Sequence, residues 1–271
     1  MDDKLKVHVL HTGQVVVDKA LPFRNKSLNP FAYTGLLRNK SNKIKLPVSV
    51  YLIEHPRGNV LVDTGWSKAV RGDYKKHLPM KGYLASKPIL PPGENITEQL
   101  DKLGINKLQF IVLTHMHVDH VDALSEVQDY AEFVLVSRDE LKSANNGGGR
   151  YIKELWQNTI FDRFDWNGEM GPYFKSYDVF RDGKINLIYL PGHTTGSTGV
   201  LIKNNGKFVF ITGDAAYAKE SWEKFELPSI VNDRDRTLRC LKYINKLSKA
   251  DNCIEILASH DPDVKPHVVE F

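Results

Sequence analysis

The 271-residue chain is poor in cysteine, with Cys240 and Cys253 alone, and it has no apolar run near the roughly 18 residues that a membrane helix requires. One cysteine lies in a helical pattern and the other opens a strand-like run, so neither a disulfide framework nor a cysteine metal cluster is expected. Both read as buried thiols. The first residues, Met1 to Lys6, are charged and lack an apolar signal core or a small-residue cleavage site, which makes a cytoplasmic protein without a membrane partner the expectation. Nor is there a long basic run. Lysines and arginines, 37 against 33 acids, are interspersed with them for a net charge of +4, so charge gives no case for a nucleic-acid partner.

What is present is ordinary globular composition, 41% hydrophobic and 26% charged, over a length that allows one domain spanning residues 1–271 with a core needing no disulfide support. One stretch departs from the ordinary. Thr114 His115 Met116 His117 Val118 Asp119 His120 places three imidazoles and a carboxylate directly after Leu108–Leu113, which reads as a buried strand. Imidazole nitrogen and carboxylate oxygen are donors that suit zinc and its first-row neighbours, and a tight turn at a strand end can aim such side chains at two neighbouring points. A single histidine here would be unremarkable polar sequence; four ligand-type residues together point to a two-metal site.

Other strand ends deliver similar residues. Val48–Ile53 and Asn59–Val62 read as a hairpin that exits at Asp63, an acid that either stabilises a turn or orients a ligand histidine. Ile185–Leu190 ends in Pro191 Gly192 His193, a second hairpin of 199–203 and 207–212 exits at Asp214, and Ile254–Ala258 ends at His260. Between these, Asn95 with Glu98 forms a capping box for a short helix stopped at Gly104, and Asp233 caps a helix running to about Ser248. Short strands are expected at Leu5–Leu10 and Val15–Val17, with His8 and His11 as packing or surface residues. Lys19–Lys45 reads as an irregular loop, and Trp66–Pro92 as an ordered loop bordering a pocket. A helix is expected at Val121–Val127, another at Asp139–Ala144 ending in a flexible 145–149 joint, and an amphipathic helix at Tyr151–Phe164.

With those residues in hand, the chain resembles the metallo-β-lactamase superfamily over nearly its whole length. The resemblance implies an α/β, four-layer αββα sandwich of two mixed β-sheets flanked by helices. It also implies that His115, His117 and His193 hold one metal, that Asp119, His120 and His260 hold the other, that Asp214 bridges them, and that Asp63 orients a ligand histidine. Within the superfamily the sequence is most similar to the N-acyl homoserine lactone lactonases, because Tyr217 stands three residues after Asp214 and is followed by Lys219 Glu220. One departure is visible: the usual histidine, variable residue, Gly, Gly run is here His120 Val121 Asp122 Ala123.

The chemistry follows from two adjacent divalent cations, zinc in the first instance, with iron, cobalt and manganese as donors also allow. Sharing one oxygen, they lower the pKa of water from 15.7 towards about 7, so that a bridging hydroxide can attack a lactone carbonyl at neutral pH. Asp119 and Tyr217 are the catalytic candidates, the first to pass a proton and the second to polarise the carbonyl, and the expected partner is a small-molecule lactone. Hydrolysis of another ester, a thioester or a phosphodiester is the alternative. A flavodiiron-type redox centre is disfavoured because an acid usually stands where His117 is, and a purely structural zinc site because such sites are typically closed by four ligands.

Overall fold

The computed structural model describes residues 4–24, 29, 31–148 and 151–271. Parts of the 19–45 loop and of the 145–149 joint therefore lie outside the described residues. In chain order the strands are β1 (Lys6–Asp18), β2 (Lys43–Glu54), β3 (Val60–Val62), β4 (Ser86–Ile89), β5 (Leu108–Val112), β6 (Ala131–Ser137), β7 (Asp162–Phe164), β8 (Ser176–Asp178), β9 (Ile185–Tyr189), β10 (Thr198–Asn204), β11 (Lys207–Ile211), β12 (Cys253–Leu257) and β13 (His267–Glu270). The helices are α1 (Tyr74–His77), α2 (Met80–Tyr83), α3 (Ile96–Lys102), α4 (Val118–Val121), α5 (Leu124–Val127), α6 (Arg138–Asn145), α7 (Lys219–Glu223) and α8 (Arg234–Ser248).

Two mixed sheets form. The first runs β13-β1-β2-β3-β5-β6-β7 with β4 on β1, antiparallel through β3 and parallel from β3 to β7. The second runs β12-β11-β10-β9-β8, parallel only between β11 and β12. Strand alternation explains the layering. In β2, Tyr51 and Ile53 join β3 residues Val60 and Val62 and second-sheet residues such as Leu187, Val200 and Val209 in one apolar cluster between the sheets. Val50 and Leu52 face the other way, onto Ile96, Leu100, Leu124 and Val127 of the helices. Phe210 and Ile256 meet Leu241 and Ile244 of α8 on the far side. The result is the αββα sandwich that the resemblance implies.

The hairpins, the α3 capping box and the Asp233-capped α8 stand where the sequence places them. Three segments differ. β1 is one strand and not two, because a register shift between His11 and Gln14 absorbs Gly13 without ending the pairing with β2. The 66–92 segment is built of short elements, among them α1, α2 and β4. The helix expected over Tyr151–Phe164 is absent: Ile152 and Trp156 are buried around a single turn at Lys153–Leu155, Ile160 is exposed, and Asp162–Phe164 pairs in parallel with Leu135–Ser137. Here a sheet edge needing a strand outweighs a helical spacing of apolar residues.

β3, β5, β9, β11 and β12 all end at one edge of the sandwich, and short hydrogen bonds tie the two sheets there. Ser49 N–H donates to Ser259 O and Thr198 N–H to Thr114 O, both at 2.9 Å. Gly65, which follows β3, has a φ of 72°, and a Cβ on it would lie 1.8 Å from Thr12 Oγ1, so only glycine fits this approach.

Asn95 does more than cap α3. Its buried side chain accepts from Thr97 N at 3.0 Å and donates to Trp66 O at 3.1 Å and to Glu126 Oε2 at 2.7 Å, fixing the start of the 66–92 segment to α5. Asn95→Ala removes the cap and leaves buried groups unpaired, and is expected to lower unfolding free energy by about 2–3 kcal/mol. Denaturant titration reads this; a loss below about 0.5 kcal/mol would leave Asn95 as a replaceable cap.

Candidate metal centre

Each strand end at the shared edge contributes one turn. After β5 the chain enters an extended His117 and then α4, which brings the His120 ring to 4.1 Å from the His115 ring, centroid to centroid, with the two planes inclined at 51°. After β9 the turn carrying His193 is pressed against the first turn of α6, where a Cβ on Gly196 would fall 2.1 Å from Glu140 N. After β11, Gly213 takes a φ of 52° as it passes Thr114, and Asp214 follows in a single 3-10 turn. His260 lies beyond β12.

The seven residues expected from the sequence are brought together. Ligand-type atoms converge in three overlapping groups, each within 4.8 Å: His115, His117 and His193; His115, His120 and Asp214; Asp119, His120 and His260. His117 Nδ1 lies 3.0 Å from His115 Nε2 and 2.9 Å from His193 Nε2. Three ring nitrogens aimed at one point are suited to a shared cation. Asp214 spans the two nests: Oδ2 is 3.4 Å from His193 Nε2 and 3.9 Å from His115 Nε2, while Oδ1 is 3.3 Å from both His120 Nε2 and His260 Nε2. His120 Nε2 and Asp214 Oδ1 are buried and make no well-formed hydrogen bond, a costly state for two polar atoms that a cation between them relieves. The donor set thus fits two metal ions.

Outer contacts aim the rings. Asp63, held at a φ of 62°, accepts from Thr114 N–H at 2.8 Å and from Thr114 Oγ1 at 2.7 Å, and its Oδ2 lies 2.7 Å from His120 Nδ1. A carboxylate only accepts, so Nδ1 carries the hydrogen and Nε2 is turned to the site. The two readings of Asp63 left open by sequence are both realised. His260 Nδ1 donates to Pro47 O at 2.8 Å with the same effect.

Electrostatics agree. Burial and the neighbouring imidazoles hold His115 well below the ordinary histidine range. For His120 burial acts in the same direction but is outweighed by Asp63 and Asp214, so its pKa stands well above that range; His260 is raised chiefly by Asp214 against burial. Burial would raise Asp214, but His260 and His120 hold it well below the carboxylate range. An anion flanked by imidazoles that would otherwise take up protons is a setting in which cations and protons compete.

Tyr217 packs its ring on His260 at 5.3 Å and edge-on to His193 at 5.8 Å. With Asp119 it lines a cleft of about 110 Å3 whose other walls include Val15, Val17, Leu46 and Ile230. His8 and His11 lie apart: His8 pairs with Glu54, and His11 is lowered to about 4 by burial and by Lys265 and His267.

Two buried carboxylates beside the site are given no role by the sequence reading. Glu140 in α6 is fully buried, and four donors converge on it: Met116 N (3.0 Å) and Tyr151 OH (3.1 Å) on Oε1, Thr194 Oγ1 (2.6 Å) and Gly196 N (3.1 Å) on Oε2. It ties the His115–His117 turn to the His193 turn. Asp122 stands where glycine is usual, yet its φ of −62° needs no glycine; instead it accepts from Ser67 N at 2.8 Å and meets His77 Nε2 at 2.7 Å, anchoring the 66–92 segment.

Fold and site together define an αββα protein with a paired histidine and carboxylate nest at one sheet edge. The model of the metallo-β-lactamase superfamily matches residues 44–246, and the chain belongs to that superfamily. Among its relatives is the N-acyl homoserine lactonase AttM of Rhizobium radiobacter, 27% identical over 247 residues that cover 85% of this chain and 91% of that protein. The N-acyl homoserine lactonase of Bacillus cereus is 26% identical over 262 residues, covering 94% and 93%. A solved N-acyl homoserine lactone hydrolase with the product N-hexanoyl-L-homoserine at its catalytic metal centre superposes with a TM-score of 0.74 at 23% identity, covering 95% and 94%. The dizinc quorum-quenching lactonase AidC has a TM-score of 0.65 at 17% identity, covering 97% and 89%.

Glu140→Gln puts an amide NH2 against donors on one side and is expected to lower stability by about 1–3 kcal/mol and to weaken metal retention, since two ligand turns lose their common anchor. Denaturant midpoint and metal content after dialysis measure both. If both match the parent, Glu140 is a tolerated buried acid and no anchor.

Proposed function

We propose that the chain is a dinuclear metal-dependent hydrolase that opens the lactone ring of N-acyl homoserine lactones, a quorum-quenching activity. The observation that carries the reading is Asp214, one carboxylate with an oxygen turned to each of two histidine nests. His115, His117 and His193 would hold one ion, Asp119, His120 and His260 the other, with Asp214 shared between them. Zinc suits these donors, and iron, cobalt and manganese are compatible with them. When bound, the two cations supply Lewis acidity and make hydroxide available from water at neutral pH.

The chain's own residues do the rest. Asp119, with 14% of its side chain exposed, reaches the cleft and stands beside His260, where it can take a proton from the attacking water and pass it to the leaving alkoxide. Hydroxide adds to the lactone carbonyl carbon, the ring C–O bond breaks, and the product is a hydroxy acid. Tyr217 is placed to donate to the carbonyl oxygen as charge builds there. The apolar walls Val15, Val17, Leu46 and Ile230 suit an acyl chain. The lactonase names of the curated relatives support lactones over other esters.

Purified active protein should hold about two metal ions per chain, Asp214→Ala should lose at least one, and chelation should abolish turnover. Full activity at near-zero metal content would end the mechanism. In a panel of acyl homoserine lactones, a cephalosporin, an acylglutathione thioester and a phosphodiester, the lactones should be opened fastest; efficient turnover of another member with inert lactones would move the chain to a different hydrolase.

Tyr217→Phe should keep both metals and slow lactone opening about tenfold or more, chiefly in kcat, because the lost donor acts on charge that develops in the transition state. Lactone kinetics with metal analysis test it, and an unchanged kcat with metals intact would make Tyr217 a packing residue.

A further inference from the structure

The interspersed charges of the sequence separate in space. Residues 31–47 and 66–92 contain ten of the chain's 37 lysines and arginines but only one of its 33 acids, Asp73, so the rest of the chain carries 27 bases against 32 acids. The two segments flank the same end of β1, one on each of its edges. Lys43–Lys45 pairs with Asp18–Val16, and Ser86–Ile89 pairs with Val17–Gln14. Two of the ten bases are neutralised locally, Arg38 by Asp18 and Arg71 by Glu98. The other eight, Lys40, Lys43, Lys45, Lys68, Lys75, Lys76, Lys81 and Lys87, are exposed.

The same segments expose Phe31, Leu36, Leu37, Met80 and Leu84, five large apolar side chains against six in the remainder of the described chain. Leu37 is 95% exposed with its backbone at a φ of 56°, a conformation that branched residues seldom take. Thr34, Gly35, Tyr83 and Leu84 border one groove, which shares Val17 and Ala85 with the metal-site cleft. Leu84 thus borders that groove together with Lys43 and Lys87, and Lys81 lines the cleft itself.

We infer that this face docks on an anionic lipid surface, with Leu36, Leu37, Met80 and Leu84 entering the interface and the lysines meeting lipid phosphates. Each basic side chain near such a surface strengthens binding, and inserted aliphatic groups add to it. No membrane-crossing helix is involved or present among the described residues. A second copy of this chain is a poorer occupant, because a two-fold contact would set these lysines against themselves. A nucleic-acid backbone would match the lysines but leave the aliphatic tips unused. Docking would set the cleft mouth at the lipid boundary, where acylated small molecules concentrate; the docking itself does not depend on which substrate is turned over.

The test is co-sedimentation of the metal-loaded full chain with vesicles of phosphatidylcholine alone and of phosphatidylcholine mixed with phosphatidylglycerol. Binding to the mixed vesicles only, weakened by added salt, is expected. Lys75→Glu with Lys76→Glu, and separately Leu37→Ser with Leu84→Ser, should each reduce it about tenfold or more. Circular dichroism of both variants, matched to the parent, ensures that the fold is being compared intact. Absence of binding at low ionic strength overturns the inference. So does a parent dimer in sedimentation that the leucine variant converts to monomer, or duplex DNA binding as tight as vesicle binding and unaffected by the leucine changes.

Discussion

The structure depends on compensating one buried anion. Asp214 is 4% exposed and faces His115, His120, His193 and His260, all of them buried. Without a counter-charge a carboxylate there would be expensive, and imidazoles packed this closely would repel once protonated. Burial and its neighbours hold His115 low, while Asp214, with Asp63 at His120, pulls His120 and His260 up, so the acid is balanced chiefly by those two imidazoles. Divalent cations bound among these donors would satisfy the same requirement with every ring neutral. Left neither protonated nor metallated, the arrangement would carry the full cost of a buried, uncompensated carboxylate.

That requirement explains why rigid elements supply the groups. Five strands from two sheets end at one edge, so each donor stands in a short turn within a few residues of a strand whose register is fixed. Backbone bonds across the edge, Ser49 to Ser259 and Thr198 to Thr114, hold the two halves of the nest in registry. Glu140 and Asp63 extend this control. Burial pushes Glu140 above the ordinary carboxylate range while its donors, Thr194 first among them, oppose the shift, as befits a group whose place is fixed by hydrogen bonds and not by a cation.

Much of this could be read from the sequence, for a physical reason. Donors at strand ends stand out because the preceding apolar run marks the strand and the donor breaks it, as at Val112 to His115, Leu190 to His193 and Ile211 to Asp214. Glu140 gives no such signal: an acid in the first turn of a helix after a Ser cap is the commonest of patterns, and its partners come from residues 116, 151, 194 and 196. The 151–164 error has the same root, since the spacing of Ile152, Leu155 and Trp156 is compatible with burial around one turn, and only the vacant edge of β6 selects a strand at 162–164. The basic face was hidden because its two halves are separated in sequence by most of β2, β3 and the hairpin turn between them.

Asp122 shows how a departure from a family pattern can be structural and local. With glycine the 66–92 segment would meet α4 through backbone alone; with Asp122 it is fastened at Ser67 and His77, and Glu126 adds contacts to Ser67, Lys68 and Asn95. His77 is raised above the ordinary histidine range by its bond to Asp122, so this fastening is strongest when His77 is protonated and fades as pH rises through the raised pKa. The segment so fastened carries Lys81, Gly82, Ala85 and Ser86 into the cleft wall. Asp122 therefore links the turn carrying Asp119 and His120 to a wall of the cleft, and the cleft is shaped in part by a residue that does not line it.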